Sequence, residues 1–253
     1  MDIKANIRLT KAIESIEKRL KDFVGDKKAI IGLSGGIDSS VIAYVCGKAL
    51  GKDNVIGVVL PYKDQSSEDG MLVAKELDIR CEEVNISPAV DILTTIEDND
   101  LTKGNVMARI RMVVLYQFAN RYNGLVIGTT NKTEAAIGYY TKWGDGAVDV
   151  EPIADLYKTE VWEAAKILGV PQKIIDKKPS AELWDNQTDE EELGITYREL
   201  DEILMAVEDF EDNTIPVEVY LNAKYDEVNV EKVLSLVKNS EHKRHMPPAF
   251  KVR

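Results

Sequence analysis

The sequence predicts an α/β fold, a doubly wound parallel sheet with extra helices at both ends, on three observations. Short apolar runs alternate with helical patterns. The runs are apolar throughout rather than alternating with polar residues, as in strands buried on both faces. The first of them ends in a glycine-rich turn that opens a helix. In chain order, Ile3, Ile7, Ile13, Ile16, Leu20 and Phe23 recur at helical spacing, predicting an amphipathic helix over 3–24. KAIIGL (28–33) is the first strand, and a helix of VIAYVCGKAL type follows it. VIGVVL (55–60) is the second strand, closed by Pro61, with a helix near 67–77. RCEEVNI (80–86) reads as the third strand and leads to a helix running towards Asp98. Residues 105–121 are helical, and Asn123-Gly124 turns the chain into the strand LVIGT (125–129).

The second half is less regular. Residues 137–157 are rich in Gly, Tyr and Asp with poor periodicity, as in an ordered functional loop. A helix over 158–168 stops at Gly169 and Pro171, a long mobile loop is expected over 176–195, and helices over 196–208, 216–224 and 229–240 close the chain. The expected organisation is one domain over 1–253, with an α/β core at 28–160 and a helical C-terminal part at 196–253.

Composition narrows the class of function. The chain has 253 residues, is 44% hydrophobic and 30% charged, and carries a formal charge of −12. That is enough apolar material for a sizeable core, and the acidic balance argues against a general nucleic-acid binder, which needs a basic footprint. The acids are unevenly placed: residues 182–202 hold nine of them against one arginine, whereas 242–253 hold four Lys/Arg and no acid. Cys46 and Cys81 lie far apart without CxxC spacing, so neither a disulfide framework nor a zinc site is expected; both are read as buried small hydrophobes in a reducing cytoplasm. The first twenty residues carry charges throughout, unlike a signal peptide, and no apolar stretch reaches the length of a membrane span. A soluble cytoplasmic enzyme is the expectation.

The phrase Gly32-Leu33-Ser34-Gly35-Gly36-Ile37-Asp38-Ser39-Ser40 decides the chemistry. Its glycines let the backbone turn sharply and approach a ligand, and the N–H groups and dipole of the next helix favour a phosphate. Ser34, Ser39 and Ser40 add hydroxyls. No Gly-Lys-Ser/Thr follows, so this is not a Walker A loop, and the third glycine of a dinucleotide fingerprint is missing. Asp38 beside a phosphate is unfavourable unless a cation stands between them. Mg²⁺, which takes one or two carboxylates plus substrate phosphates, would resolve the conflict; the plain alternative is a helix N-cap.

The loop resembles the SGGxDS loop of the ATP pyrophosphatases, a Rossmann-like group that splits ATP into AMP and pyrophosphate. Further phrases make the chain similar to ammonia-dependent NAD synthetases: Lys103-Gly104-Asn105-Val106-Met107-Ala108-Arg109-Ile110-Arg111, Gly128-Thr129-Thr130-Asn131-Lys132-Thr133-Glu134, Thr141-Lys142-Trp143-Gly144-Asp145-Gly146-Ala147-Val148-Asp149, Pro179-Ser180-Ala181-Glu182-Leu183, Glu192-Leu193-Gly194-Ile195-Thr196-Tyr197 and His242-Lys243-Arg244. The resemblance runs in the same order from about residue 5 to 248. The resemblance implies adenylation of the carboxylate of nicotinic acid adenine dinucleotide (deamido-NAD), then displacement of AMP by ammonia, in a homodimer with the dinucleotide between subunits. It implies Asp38 and Glu134 as Mg²⁺ ligands. Thr129, Lys158 and Ser180 join the glycine loop around ATP, and Arg109, Lys142, Asp149, His242 and Lys243 hold the dinucleotide. Asp149 is the candidate to bind ammonium and take its proton, with Asp145 as the neighbouring alternative. Arg111, two residues beyond Arg109, faces elsewhere, so one helix cannot offer both to one ligand. GTTNKTE stands where many bacterial relatives have GTDHAAE, as in an archaeal-like branch.

Two other readings compete with this one. A tRNA-thiolating or lysidine-forming ligase would want a basic face or catalytic cysteines. A non-catalytic nucleotide sensor would need neither the paired Asp38 and Glu134 nor the substrate loops, and would release no AMP or pyrophosphate. There is no room before residue 28 for a glutaminase domain, so free ammonia or a separate partner enzyme is the expected nitrogen source.

Overall fold

Strands β1 (Lys28–Gly32) and β2 (Val55–Val59) form the middle of a four-stranded sheet, as their apolar runs require: every residue of β2 is buried, and so are the inner three of β1. The computed structural model describes residues 3–95, 98–181, 183–184, 187–210 and 215–252. With β3 (Arg80–Glu83) and β4 (Gly124–Ile127), the strand order is β3-β2-β1-β4, all parallel. Helices cover both faces. Helices α1 (Ile3–Val24), α2 (Ile37–Leu50) and α3 (Glu68–Glu76) lie on one side, and α4 (Ser87–Leu93) and α5 (Asp100–Tyr122) on the other. The doubly wound arrangement is the one the apolar strands predicted.

Boundaries move where a cap overrides periodicity. Helix α5 starts at Asp100 rather than 105 because the Asn99 side chain accepts the Thr102 N–H at 2.8 Å. Strand β3 is shorter than the 80–86 run, although the Val84 and Ile86 N–H groups still donate to Val59 and Pro61. Helix α1 spans its predicted range, but Ile3, Ile7 and Phe23 are exposed, while Leu9, Ile13, Leu20 and Val24 enter the core.

Three short helices carry no periodicity that the sequence alone can show. Helix α6 (Lys132–Ile137) precedes the 137–157 segment, and α7 (Lys158–Leu168), at its predicted bounds, leads into α8 (Gln172–Ile175). Helix α9 (Asp189–Leu193) lies within the 176–195 stretch. At four to six residues none carries a legible period. Asn131 followed three residues later by Glu134 is nonetheless a capping box, and it was readable. The C-terminal part, α10 (Tyr197–Glu208), α11 (Val217–Asn222) and α12 (Glu227–Asn239), packs with α6 around a third apolar cluster that includes Leu200, Ile203, Leu221 and Val233. A single turn of 3₁₀ helix, Glu241–Lys243, follows.

The 137–157 segment returns to the sheet. Val150 makes a parallel bridge to Ile127, and two carboxylates two residues apart clip the same strand edge. Asp149 accepts the Val126 N–H at 2.7 Å, and Glu151 accepts the Thr130 N–H at 3.0 Å. The Glu151 carboxylate lies against the face of Gly128, where any Cβ would collide with it. Burial raises its carboxyl to about 7, opposed by the Thr130 bonds. A pKa above the unfolded value favours the protonated fold, so this group's stabilisation is complete below the unfolded pKa and fades as pH rises through about 7. Glu151→Gln is therefore expected to flatten the pH dependence of melting between about pH 5 and 7, by up to about 3 kcal/mol. A wild-type-shaped profile in the variant would reject that assignment.

No helix among the described residues is long and apolar enough to cross a membrane.

Candidate active site

The glycine loop sits at the carboxyl end of β1 and is shaped by its own hydroxyls. Ser34 Oγ accepts the Gly36 N–H at 3.2 Å and lies 3.1 Å from Ser39 Oγ. Ser39 and Ser40 both donate to the Gly36 carbonyl, at 3.1 and 2.8 Å. Gly35 turns with φ +79, in the left-handed region, directly against Asp69 and Gly70 of α3. Gly32, Leu33, Ser34, Gly36, Ile37, Asp38 and Ser39 face a cavity of about 570 Å³; Gly35 and Ser40 stand behind this wall. The volume suits a nucleotide-sized ligand.

Lys158 is the centre of charge. It is the first residue of α7, where a cation meets the positive end of a helix, yet it is only 2% exposed. Its Nζ donates to Asp38 Oδ2 at 2.6 Å and Glu134 Oε1 at 2.9 Å and lies 5.0 Å from the Tyr197 ring centre. The helix start is satisfied from outside. Thr133 Oγ1 accepts the Lys158 N–H at 2.9 Å, and Asp201 accepts from the Thr133 hydroxyl at 2.5 Å and the Thr159 N–H at 2.8 Å. Asn131 ties the two acids together: its side chain donates to Asp38 Oδ1 at 2.9 Å and accepts the Glu134 N–H at 2.9 Å. Burial drives the Glu134 carboxyl above the usual carboxylate range against the pull of Lys158, while the two acids hold the Lys158 ammonium above its ordinary value.

Two hard carboxylates converging on one cation position are the donor set that Mg²⁺ takes together with phosphate oxygens. Among the described residues no cluster of three or more His, Cys, Asp or Glu could hold a metal on its own. A metal here would need oxygens from a bound ligand.

The remaining expected residues divide between the cavity and its outer rim. Thr129, Ser180 and Lys243 line the cavity. Arg109, Lys142 and His242 instead meet one another outside: Arg109 donates to the Lys142 carbonyl at 3.2 Å, and Lys142 Nζ to the His242 carbonyl at 2.5 Å. Asp149 faces the β4 edge, and the acid of that loop on the cavity wall is Asp145. Asp145 is open to the cavity but walled in by protein, which raises its carboxyl above the usual range while the Thr141 N–H, Lys243 and Arg111 draw it down.

Arg111, set aside in the sequence, is the arginine of α5 on the cavity wall, reaching the Leu60 carbonyl at 3.2 Å and Gln65 Oε1 at 2.9 Å. Arg111 stands one turn from the buried Met107, whereas Arg109 stands one turn from the exposed Val113, a difference the sequence does not display because both neighbours are apolar. Asp189 was also missed. It is buried, accepts hydrogen bonds from Tyr197 at 2.9 Å and Tyr139 at 3.2 Å, and its N–H reaches the Pro179 carbonyl at 3.0 Å, which ties α9 to Pro179 on the cavity wall. Glu182, part of one of the family-like phrases, lies outside the described residues.

A cavity at the carboxyl ends of a parallel sheet, with a glycine loop and a buried cation between two acids, is the arrangement expected of an α/β enzyme with a nucleotide substrate. The family model for NAD synthase matches residues 9–247, and the chain belongs to that family. It is 48% identical over 246 residues to the NH(3)-dependent NAD(+) synthetase of Pyrococcus furiosus, covering 94% of this chain and 95% of that one. It is 44% identical over 256 residues to the enzyme of the same name from Methanocaldococcus jannaschii, covering 94% and 96%. Among solved structures, an NMN synthetase from Francisella tularensis matches with a TM-score of 0.80 at 33% identity, over 98% of this chain and 99% of that one. An NH3-dependent NAD synthetase from Campylobacter jejuni, in complex with the nitrate ion, matches with 0.78 at 28%, over 99% and 100%.

Proposed function

We propose that this chain is a carbon–nitrogen ligase that converts deamido-NAD to NAD with ATP and ammonia. A carboxylate oxygen of the nicotinate attacks the α-phosphorus of ATP and pyrophosphate leaves. Ammonia then attacks the acyl carbon of the adenylate, AMP leaves, and the proton lost from nitrogen passes to a carboxylate. The observation that carries this reading is the Lys158 ammonium held between Asp38 and Glu134 beside the glycine loop.

In this reading the 32–40 turn, Thr129 and Ser180 hold ATP, and Lys158 lies against its phosphates, where it offsets the charge that otherwise opposes attack by one anion on another. Asp38 and Glu134 hold Mg²⁺, which supplies Lewis-acid charge neutralisation when bound. The surface group Arg109, Lys142 and His242, joined to the cavity through Lys243, receives the dinucleotide. Two subunits sharing that surface would account for its position outside the cavity. The wall carboxylate Asp145 supports a role in binding ammonium and accepting its proton, with Asp149 as the second candidate. Asp145→Asn is expected to raise the ammonium KM at least about tenfold, while Asp149→Asn, which keeps an acceptor for the Val126 N–H, changes it less. An Asp145→Asn enzyme with unchanged ammonium saturation would remove that role.

A second reading, amidation of a mononucleotide, is favoured by the likeness to the Francisella protein. The test supplies ATP and Mg²⁺ with deamido-NAD or nicotinic acid mononucleotide, and ammonium chloride or glutamine. Formation of NAD and AMP that depends on ammonium and deamido-NAD is the expected result. Turnover of the mononucleotide alone would support the second reading, and ADP as product would sink both.

A further inference from the structure

The helix that carries Glu134 is held at its far end by the C-terminal tail. Helix α6 has six residues, about 9 Å of rise. Glu134 sits in its first turn and Gly138, with φ +71, closes it. The carbonyls left open at that end are taken by two cations. Arg244 Nη1 donates to Ala136 O at 2.6 Å and Ala135 O at 3.2 Å, and Lys243 Nζ donates to Gly138 O and Tyr140 O at 2.6 Å each. Arg244 also reaches α12, with Nη2 on Val237 O at 2.7 Å and Nη1 on Ser240 Oγ at 2.8 Å. Gly138 lies so close to Ser240 that any Cβ there would collide with its side chain. One guanidinium therefore bridges the ends of two helices, with its charge at the negative pole of each.

The consequence concerns both substrates. The same tail segment meets the Arg109–Lys142 surface, because Lys142 Nζ donates to the His242 carbonyl at 2.5 Å. A ligand drawing on Lys142, His242 or Lys243 must disturb or tighten these bonds. The other end of α6 orients Glu134 against Asp38 and Lys158, through Asn131 and the capping box. Six residues with both ends tied leave little slack between the two.

We propose that Arg244 is a positioning residue that clamps the tail to α6, so that dinucleotide binding at the tail and ATP binding at the Glu134 end strengthen each other. This rests on the function proposed above. The guanidinium bonds the ends of α6 and α12 and acts through the short helix held at both ends.

The test is a binding cycle without turnover. A non-hydrolysable ATP analogue with Mg²⁺ is titrated by calorimetry into wild type, Arg244→Ala and Arg244→Lys, with and without saturating deamido-NAD. In wild type, deamido-NAD is expected to tighten the analogue at least about fivefold. In Arg244→Ala that factor should fall to about one, while the affinity for each ligand alone changes much less. Arg244→Lys keeps the charge but cannot bridge both helices, and should show an intermediate factor; it also serves if the alanine variant folds poorly. Wild-type coupling in both variants would overturn the clamp, as would a loss of dinucleotide affinity with coupling intact. If wild type binds the analogue but no deamido-NAD, the substrate reading fails, and the clamp proposal fails with it.

Discussion

Lys158→Met is expected to lower ATP-dependent amidation about a thousandfold and to make the fold sensitive to alkali. The first effect follows from removing a cation from the place where phosphate charge must be met. The second follows from the site itself. Wild type buries one ammonium between two acids, at 2.6 and 2.9 Å. Without the ammonium, two carboxylates face each other with little water, and breaking a buried ion pair of this kind costs about 3–5 kcal/mol. Glu134, already driven above the carboxylate range by burial, loses the cation that most drew it down and keeps the Asn131 N–H. A carboxyl whose folded pKa exceeds its unfolded value favours folding in acid, and the advantage goes as pH rises through the folded value. The variant should therefore melt closest to wild type in mild acid and fall increasingly behind above neutrality. Mg²⁺ should raise its melting temperature more than that of wild type, because the ion would meet two uncompensated acids. Equal pH profiles for the two proteins, measured by thermal melts across that range, would show that Lys158 does not hold the pair together.

Much of the frame was legible because the core strands obey one rule. KAIIG and VIGVV are apolar since both faces are covered, and α7 was bounded correctly since Gly169 and Pro171 end it without help from tertiary contacts. Helices α6, α8 and α9 were not separated out because four to six residues cannot display a 3.6 period. Within the site, the 32–40 phrase marked a tight glycine turn between β1 and α2 by its composition and position. The pairing of Lys158 with Asp38 could not be seen that way, since 120 positions separate them and only the sheet topology brings them together. The same limit explains Arg109 and Arg111. Helical spacing shows that they diverge, but which of them meets the cavity depends on how α5 sits on β1 and β4. Asp149 and Asp145 divide in the same manner. The bridge from Val150 to Ile127 turns Asp149 towards the strand, and no local pattern signals a single bridge.

Gly35→Ala carries the second large expected effect, and Gly25→Ala is its control. Both glycines have positive φ, +79 and +58, so alanine pays the left-handed penalty of about 1 kcal/mol or more at either position. Their surroundings differ. Nothing lies within 4 Å of a Cβ at Gly25, whereas one at Gly35 would stand 2.5 Å from Asp69 Cβ and 3.0 Å from Gly70 N. Neither neighbour can retreat. Asp69 is held by Lys173 at 2.6 Å and Lys177 at 2.9 Å, and a Cβ on Gly70 would itself lie 2.6 Å from the Leu33 carbonyl, so α3 already presses on the loop there. The strain must then spread into the 32–40 turn, adding about 1–3 kcal/mol of overpacking. It would also displace Ser34 and the Gly36 N–H from the cavity wall. Gly35→Ala should lose about 2–4 kcal/mol of stability in urea titrations. Its ATP KM should rise at least about tenfold, one decade for each 1.4 kcal/mol of lost binding. Gly25→Ala should lose about 1 kcal/mol and bind ATP as wild type does. Comparable losses in the two variants would mean that backbone conformation alone sets the need for glycine in the loop, and that its contact with α3 contributes nothing to ATP binding.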